Sequence, residues 1–188
     1  MKKILSILFT LCMILILLPQ NGLTAFAATR EATDFTTLQS AISSASDGDT
    51  IEIKAPIVLT ATLTISKSLT FTASDSYNLT RGSGFTSGSM FNINGSGKTV
   101  TFQNITIDGN DVAADAAGIA VNAGELIFND GAVLLKCNNI GLSSGGGVSV
   151  GSGTFIMNGG SITNNSSNSG GGVYAFHSFT MNGGQYNE

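Results

Sequence analysis

The densest group of acidic and amide side chains in this sequence is Asp108-Gly109-Asn110-Asp111, with Asp115 close behind. Carboxylate and amide oxygens on one loop are hard donors of the kind calcium takes in sets of about six to eight. Asp108, Asn110, Asp111 and Asp115 are therefore a weak candidate for one Ca²⁺, and otherwise a solvated turn. They match neither the twelve-residue calcium loop ending in Glu nor the tandem Gly-Gly-x-Gly-x-Asp nonapeptide. Paired carboxyls about 6.5–9.5 Å apart also perform inverting glycoside hydrolysis, and this loop is the only dense source of them.

Other reactive residues are few. His177, the single histidine, sits in Ala175-Phe176-His177-Ser178, a turn with no Ser-His-Asp order around it. Tyr174 and Phe176 are candidate glycan contacts, since exposed rings stack on sugars; the alternative is packing at a corner. Cys137 is read as a buried core thiol, with a reactive thiol or intermolecular bridge as the alternative. The Gly runs 145–147 and 170–172 carry no following Lys-Ser/Thr or helix, so they are not phosphate loops. No catalytic residue and no cofactor beyond the Ca²⁺ candidate is assigned.

The elements that hold these residues are repeats. Gly145-Gly146-Gly147-Val148-Ser149-Val150 leads to Thr154-Phe155-Ile156-Met157-Asn158-Gly159-Gly160-Ser161-Ile162. Gly170-Gly171-Gly172-Val173-Tyr174-Ala175 leads likewise to Ser178-Phe179-Thr180-Met181-Asn182-Gly183-Gly184-Gln185-Tyr186. A degenerate copy upstream aligns Gly118–Val121 with Gly147–Val150 and Leu126–Asn129 with Phe155–Asn158. A period near 25 residues means stacked units. Alternation of period two places Ile119, Val121, Leu126, Phe128, Val133 and Leu135 inward in one unit. Val148, Val150, Phe155, Met157 and Ile162 do the same in the next. Three short strands per unit with no helix describe one coil of a parallel β-helix. Asn129, Asn158 and Asn182 share one repeat position, where stacked amides form a structural ladder. The Gly runs are expected to supply positive φ and close backbone approach at a corner.

Residues 34–46 predict one helix: Phe35, Leu38, Ala41, Ile42 and Ala45 form its apolar stripe, and Thr36 and Gln39 have capping-box spacing. It would cover the open end of the solenoid. Strands are expected at Ile51–Ile53, Val58-Leu59, Leu63–Ile65, Leu69–Phe71, Phe91–Ile93, Val100–Phe102 and Ile105–Ile107. Ser74–Ser89, Gly/Ser-rich with little pattern, is expected to include a longer loop projecting from one coil, and a second such loop is expected over Asp108–Ala117.

Lys2-Lys3, the apolar run Ile4–Leu18, and Ala25-Phe26-Ala27 form a secretory signal peptide cleaved after Ala27. The run falls short of the roughly 20 residues a membrane span needs, so no transmembrane span is expected in the mature chain. Removing Lys2 and Lys3 leaves six basic residues against 12 acidic ones, a net charge near −6. Such a surface disfavours nucleic acid as a partner. Charged residues are 11% of the chain against about 25% in ordinary domains, which suits a Gly/Ser/Thr/Asn-rich solenoid.

Leu38-Gln39-Ser40-Ala41-Ile42 followed by Asp47-Gly48-Asp49-Thr50-Ile51-Glu52-Ile53 resembles the start of pectin-lyase-like right-handed β-helix proteins. The Gly-Gly-Gly-Val and Phe-x-Met-Asn-Gly-Gly-x-Ile repeat is similar to tandem repeats of bacterial surface and adhesin-like proteins of that class. The resemblance implies an all-β, right-handed parallel β-helix with a short N-terminal capping helix. A lyase of this kind would use clustered acids for Ca²⁺ and a strand-borne Arg or Lys as base. Arg30, Lys54, Lys67, Arg81, Lys98 and Lys136 show no evident cluster with acids on neighbouring coils. The hydrolase series Asn-Thr-Asp, Asp-Asp, His-Gly and Arg-Ile-Lys is absent.

The expected organisation is a signal peptide over 1–27, a capping segment over 28–50 and coils over 51–188, the last broken mid-coil. Further coils, a wall anchor or a catalytic site are expected beyond Glu188. The sequence thus points to an exported, non-catalytic bacterial surface stalk or adhesin-like module, with a cell-surface glycan or protein as partner. The alternative is a polysaccharide lyase or glycoside hydrolase whose active residues lie past 188.

Overall fold

The computed structural model describes residues 26–141 and 144–187. The apolar run Ile4–Leu18, and with it nearly all of the expected signal peptide, lies outside the described residues. Short alternating segments give an almost wholly β chain that winds into a parallel β-solenoid of about five turns. Every pairing among its strands is parallel.

The coils repeat four strand positions. One stack contains β1 (Thr29–Ala32), β2 (Thr50–Ile53), β5 (Leu69–Ala73), the second halves of β7 (Phe91–Phe102) and β10 (Ile119–Phe128), β14 (Thr154–Met157) and β18 (Ser178–Met181). Next round the coil come β3 (Ile57–Leu59), β6 (Asn78–Arg81), β8 (Ile105–Asp108), β11 (Ala132–Leu135), β15 (Ser161–Thr163) and β19 (Gln185–Tyr186). A two-residue stack follows: β9 (Ala113–Ala114), β12 (Asn138–Asn139) and β16 (Ser166–Ser167). The coil closes through β4 (Leu63–Ile65), the first halves of β7 and β10, β13 (Val148–Val150) and β17 (Val173–Ala175).

Register puts like side chains over like. Ile51, Phe71, Phe102, Phe128, Met157 and Met181 form one inward column. Ile57, Leu79, Ile107, Leu134, Ile162 and Tyr186 form another. Rings meet along the axis, with Phe71 and Phe102 stacked at 5.0 Å and Phe128 edge-on to Phe155 at 5.3 Å. Each buried side chain of this size contributes about 1.5–3 kcal/mol, most of it offset by the entropy of ordering the coil. β7 and β10 run continuously where two strands each were expected, bending at Gly97 (φ 68°) and Gly124 (φ 75°).

Helix α1 (Phe35–Ser44) buries Leu38, Ala41 and Ile42 over the first coil. Its N-cap is Asp34 rather than Thr36: Asp34 Oδ1 accepts from the Thr37 N–H at 2.8 Å, and Thr37 Oγ1 accepts from the Asp34 N–H at 3.0 Å. At the other end Lys67 Nζ donates to the carbonyls of Ile42, Ser43 and Ala45, which the helix leaves without partners.

Three expectations need correction. Leu134, not Val133 or Leu135, points inward in β11, because Leu134 rather than Val133 lies over Ile162. Lys136 then adopts φ 54°, which resets the alternation and turns Cys137 back into the core. The Gly runs 145–147 and 170–172 lack positive φ; they provide only close approach, Gly147 N–H donating to Gly171 O at 2.9 Å. Ser74–Ser89 projects less than expected: β6 runs through it, and Phe85 and nearby Met90 are buried.

Candidate functional site

The corner between the Phe-bearing stack and the Ile/Leu stack is the most chemically regular surface of the solenoid. Each later coil turns there through one left-handed residue: Asn104 (φ 48°), Gly131 (φ 75°), Gly160 (φ 79°) and Gly184 (φ 83°). Asn129, Asn158 and Asn182 stand just before that residue. Asn182 Nδ2 donates to Asn158 Oδ1 at 2.9 Å, and Asn158 Nδ2 donates to Asn129 Oδ1 at 3.2 Å. Glycine opens space beside them: a Cβ on Gly131 would strike Asn104 Oδ1, and one on Gly159 would strike Asp130 Oδ1.

Two shallow clefts follow this corner along the axis. The first, about 540 Å³, runs from Ser74, Asp75, Ser76 and Tyr77 to Asn104, Thr106 and Gly131. The second, about 340 Å³, is lined by Gln103, Asn104, Asn129, Asp130 and Asn158. They share Asn104 and carry amides, hydroxyls and carboxylates with no basic side chain.

The side chains of the acidic loop take local hydrogen bonds. Asp108 Oδ1 accepts from the Asn110 N–H at 2.7 Å, and Asp108 Oδ2 lies 4.0 Å from Lys136 Nζ. Asn110 and Asp111 take φ 57° and 53°, and Asn110 Nδ2 donates to Arg81 O at 3.2 Å. Asp115 is committed elsewhere: its two oxygens accept from the Gly88 N–H at 2.7 Å and Ser87 Oγ at 2.9 Å. Those bonds, led by Gly88, hold its carboxyl below the usual range. Among the described residues no group of three or more His, Cys, Asp or Glu side chains converges on a metal position.

Arg81 lies on the inward side of β6 and is 1% exposed. Its Nη1 donates to the carbonyls of Phe85 and Gly88, both at 3.0 Å, and its guanidinium covers the Phe85 ring at 4.5 Å. Arg81 from inside and Asp115 from outside thus pin residues 82–90. The basic residues pair across coils more than the sequence suggested. Lys54 Nζ reaches Glu52 at 2.9 Å and Glu31 at 3.7 Å, Arg30 meets Asp49 at 2.8 Å, and Lys98 meets Asp47 at 2.7 Å. Apart from Lys54–Glu52, which lies within one coil, these pairs tie different coils together.

Cys137 is buried; burial pushes its thiol up to about 12. Tyr174 is half-buried, stacked on the outward Ser149 position, while Phe176 is 81% exposed and His177 beside it is exposed. Neither ring lines the amide corner. Comparison of the chain with protein-family models, with curated proteins and with solved structures finds no match.

The corner can donate to and accept from hydroxyl groups at a repeat of about 4.8 Å, the spacing between stacked strands. Gln103, Asn104, Asp130, Asp75 and Tyr77 escaped the sequence reading. Asn104 precedes the Asn-Gly-Gly repeat and carries no period, and 75–77 lie in a segment with little pattern.

Proposed function

We propose that this chain is an exported, non-catalytic β-helix of the pectin-lyase-like, adhesin-like kind, serving as a stalk or binding module at the bacterial cell surface. The observation that supports it is the stack itself. Buried columns from Ile51 to Met157 and from Ile57 to Ile162, continued in register by Met181 and Tyr186, make a rod that repeats outward positions coil after coil. Such a rod projects and presents a surface to a glycan or protein partner. Lys2-Lys3, the Ile4–Leu18 run and Ala25-Phe26-Ala27 support export, with cleavage after Ala27. The acidic balance argues against nucleic acid as the partner.

The test is expression in a bacterium from the chain's own leader. Fractionation, protease shaving of intact cells and N-terminal sequencing should find the chain outside the membrane, beginning at Ala28. The purified protein should release no unsaturated product or reducing ends from pectin, xylan or peptidoglycan. Cytoplasmic retention, or saccharide cleavage, overturns the reading.

A further inference from the structure

We infer that the amide corner is a saccharide-binding groove, selective for neutral or N-acetylated glycans over polyuronates and aligned with the solenoid axis. The inference rests on the surface-module reading and names its ligand class and its place. Two adjoining clefts, about 540 and 340 Å³, share Asn104 and run over successive coils from Tyr77 to Asn158. Sugar hydroxyls need partners that donate and accept, and carboxamides do both. The ladder fixes two of those amides in direction: Asn129 Oδ1 accepts from Asn158 Nδ2 and Asn158 Oδ1 from Asn182 Nδ2, so they are oriented before a ligand arrives. Among the described residues, Asn129 Nδ2 makes no side-chain hydrogen bond and stays available to a hydroxyl. Tyr77 offers a half-buried ring at one end.

Charge sets the selectivity. Asp75 and Asp130 line the clefts and no Lys or Arg does, so a chain of uronates meets repulsion there while neutral hydroxyls find acceptors. An extended peptide fits less well. It docks by adding to a strand edge, and the strands flanking this corner are already paired on both sides from β6 to β15.

The test uses the processed chain and titration calorimetry with cellopentaose, chitopentaose and pentagalacturonate. Three variants accompany it: Gln103→Ala with Asp130→Ala, Ser76→Trp to obstruct the first cleft, and Phe176→Ala at the remote ring. Binding of a neutral pentamer, at least tenfold tighter than pentagalacturonate, weakened tenfold or more by both groove variants and unchanged by Phe176→Ala, supports the groove. Circular dichroism and the urea midpoint establish that each variant is folded. Preference for pentagalacturonate overturns the inference, as does no binding of any pentamer. Neutral binding that survives both groove variants but falls with Phe176→Ala overturns the groove and leaves the surface-module reading standing. That reading fails separately, through the shaving experiment.

Discussion

Arg30 Nε lies 2.8 Å from Asp49 Oδ2, joining β1 to the turn that opens β2. The same carboxylate accepts from the N–H groups of Ser46 at 2.9 Å and Ala28 at 2.8 Å. The backbone bonds lead, and with Arg30 they lower the Asp49 pKa from 3.8 to about 2. A carboxyl depressed in the folded state stabilises the fold above its unfolded pKa and loses that contribution as pH falls through the folded one. The chain should therefore lose stability between about pH 4 and pH 2, and Asp49→Asn should flatten that part of the profile while lowering stability at pH 7. Urea midpoints measured from pH 2 to 7 check this; parallel profiles for both proteins refute it.

Arg81→Ala removes the guanidinium that reaches Phe85 O and Gly88 O from the core. Two carbonyls are stranded and a large cavity opens, a loss of about 3 kcal/mol or more. Hydrogen exchange should show residues 82–90 unprotected before the neighbouring strands. Arg81→Lys keeps the charge but not the planar cover on Phe85, and should recover less than half of the loss. Wild-type protection of 82–90 in the alanine variant would remove Arg81 from this role.

Gly124→Ala should cost about 2–4 kcal/mol, since φ 75° disfavours a side chain and a Cβ there would meet the backbone oxygens of Gly95 and Lys98. Gly84→Ala is the comparison: nothing lies within 4 Å of its Cβ position, so the change should be neutral or slightly stabilising. Equal thermal shifts for the two would refute the bend assigned to Gly124.

Cys137 should resist alkylation. Its thiol, pushed up to about 12 by burial, stays protonated at pH 8, and the thiol is not the nucleophile. Its N–H donates to Asn165 Oδ1 at 2.9 Å, and Asn165 Nδ2 donates to Leu134 O at 3.1 Å, which holds the surrounding backbone shut. Iodoacetamide on the processed chain should label it only at urea concentrations that unfold the protein. Rapid labelling in native buffer would refute the burial.

The sequence and the structure part at particular residues. Phe102, Phe128 and Phe155 were legible as core because their strands alternate cleanly. β6 was not, because Asn78-Leu79-Thr80-Arg81 carries one apolar side chain, and its second inward position holds a guanidinium. The shift in β11 was hidden as well: period-two logic carries Val133 through Leu135 to Cys137, and only the left-handed Lys136 breaks the count. Asn129, Asn158 and Asn182 could be aligned by repeat. The clefts beside them could not, since each combines residues from three different coils with no shared motif.

The ladder makes a graded prediction. Asn158 takes part in two amide–amide bonds, Asn129 and Asn182 in one each. With about 0.5–1.5 kcal/mol per bond, Asn158→Ala should destabilise about twice as much as Asn129→Ala or Asn182→Ala. Asn158→Asp separates the hydrogen bond from simple size. The introduced carboxyl still accepts from Asn182 but, when ionised, faces the Asn129 oxygen with no proton to offer. Its folded pKa should therefore rise above the unfolded value, so the deficit relative to wild type is full at neutral pH and shrinks as pH falls through that raised pKa. Protonation restores a donor toward Asn129 Oδ1. Urea midpoints at pH 7 and pH 4 for the four variants decide it. Equal losses at all three positions, or a pH-independent deficit for Asn158→Asp, would mean the amides stack without bonding.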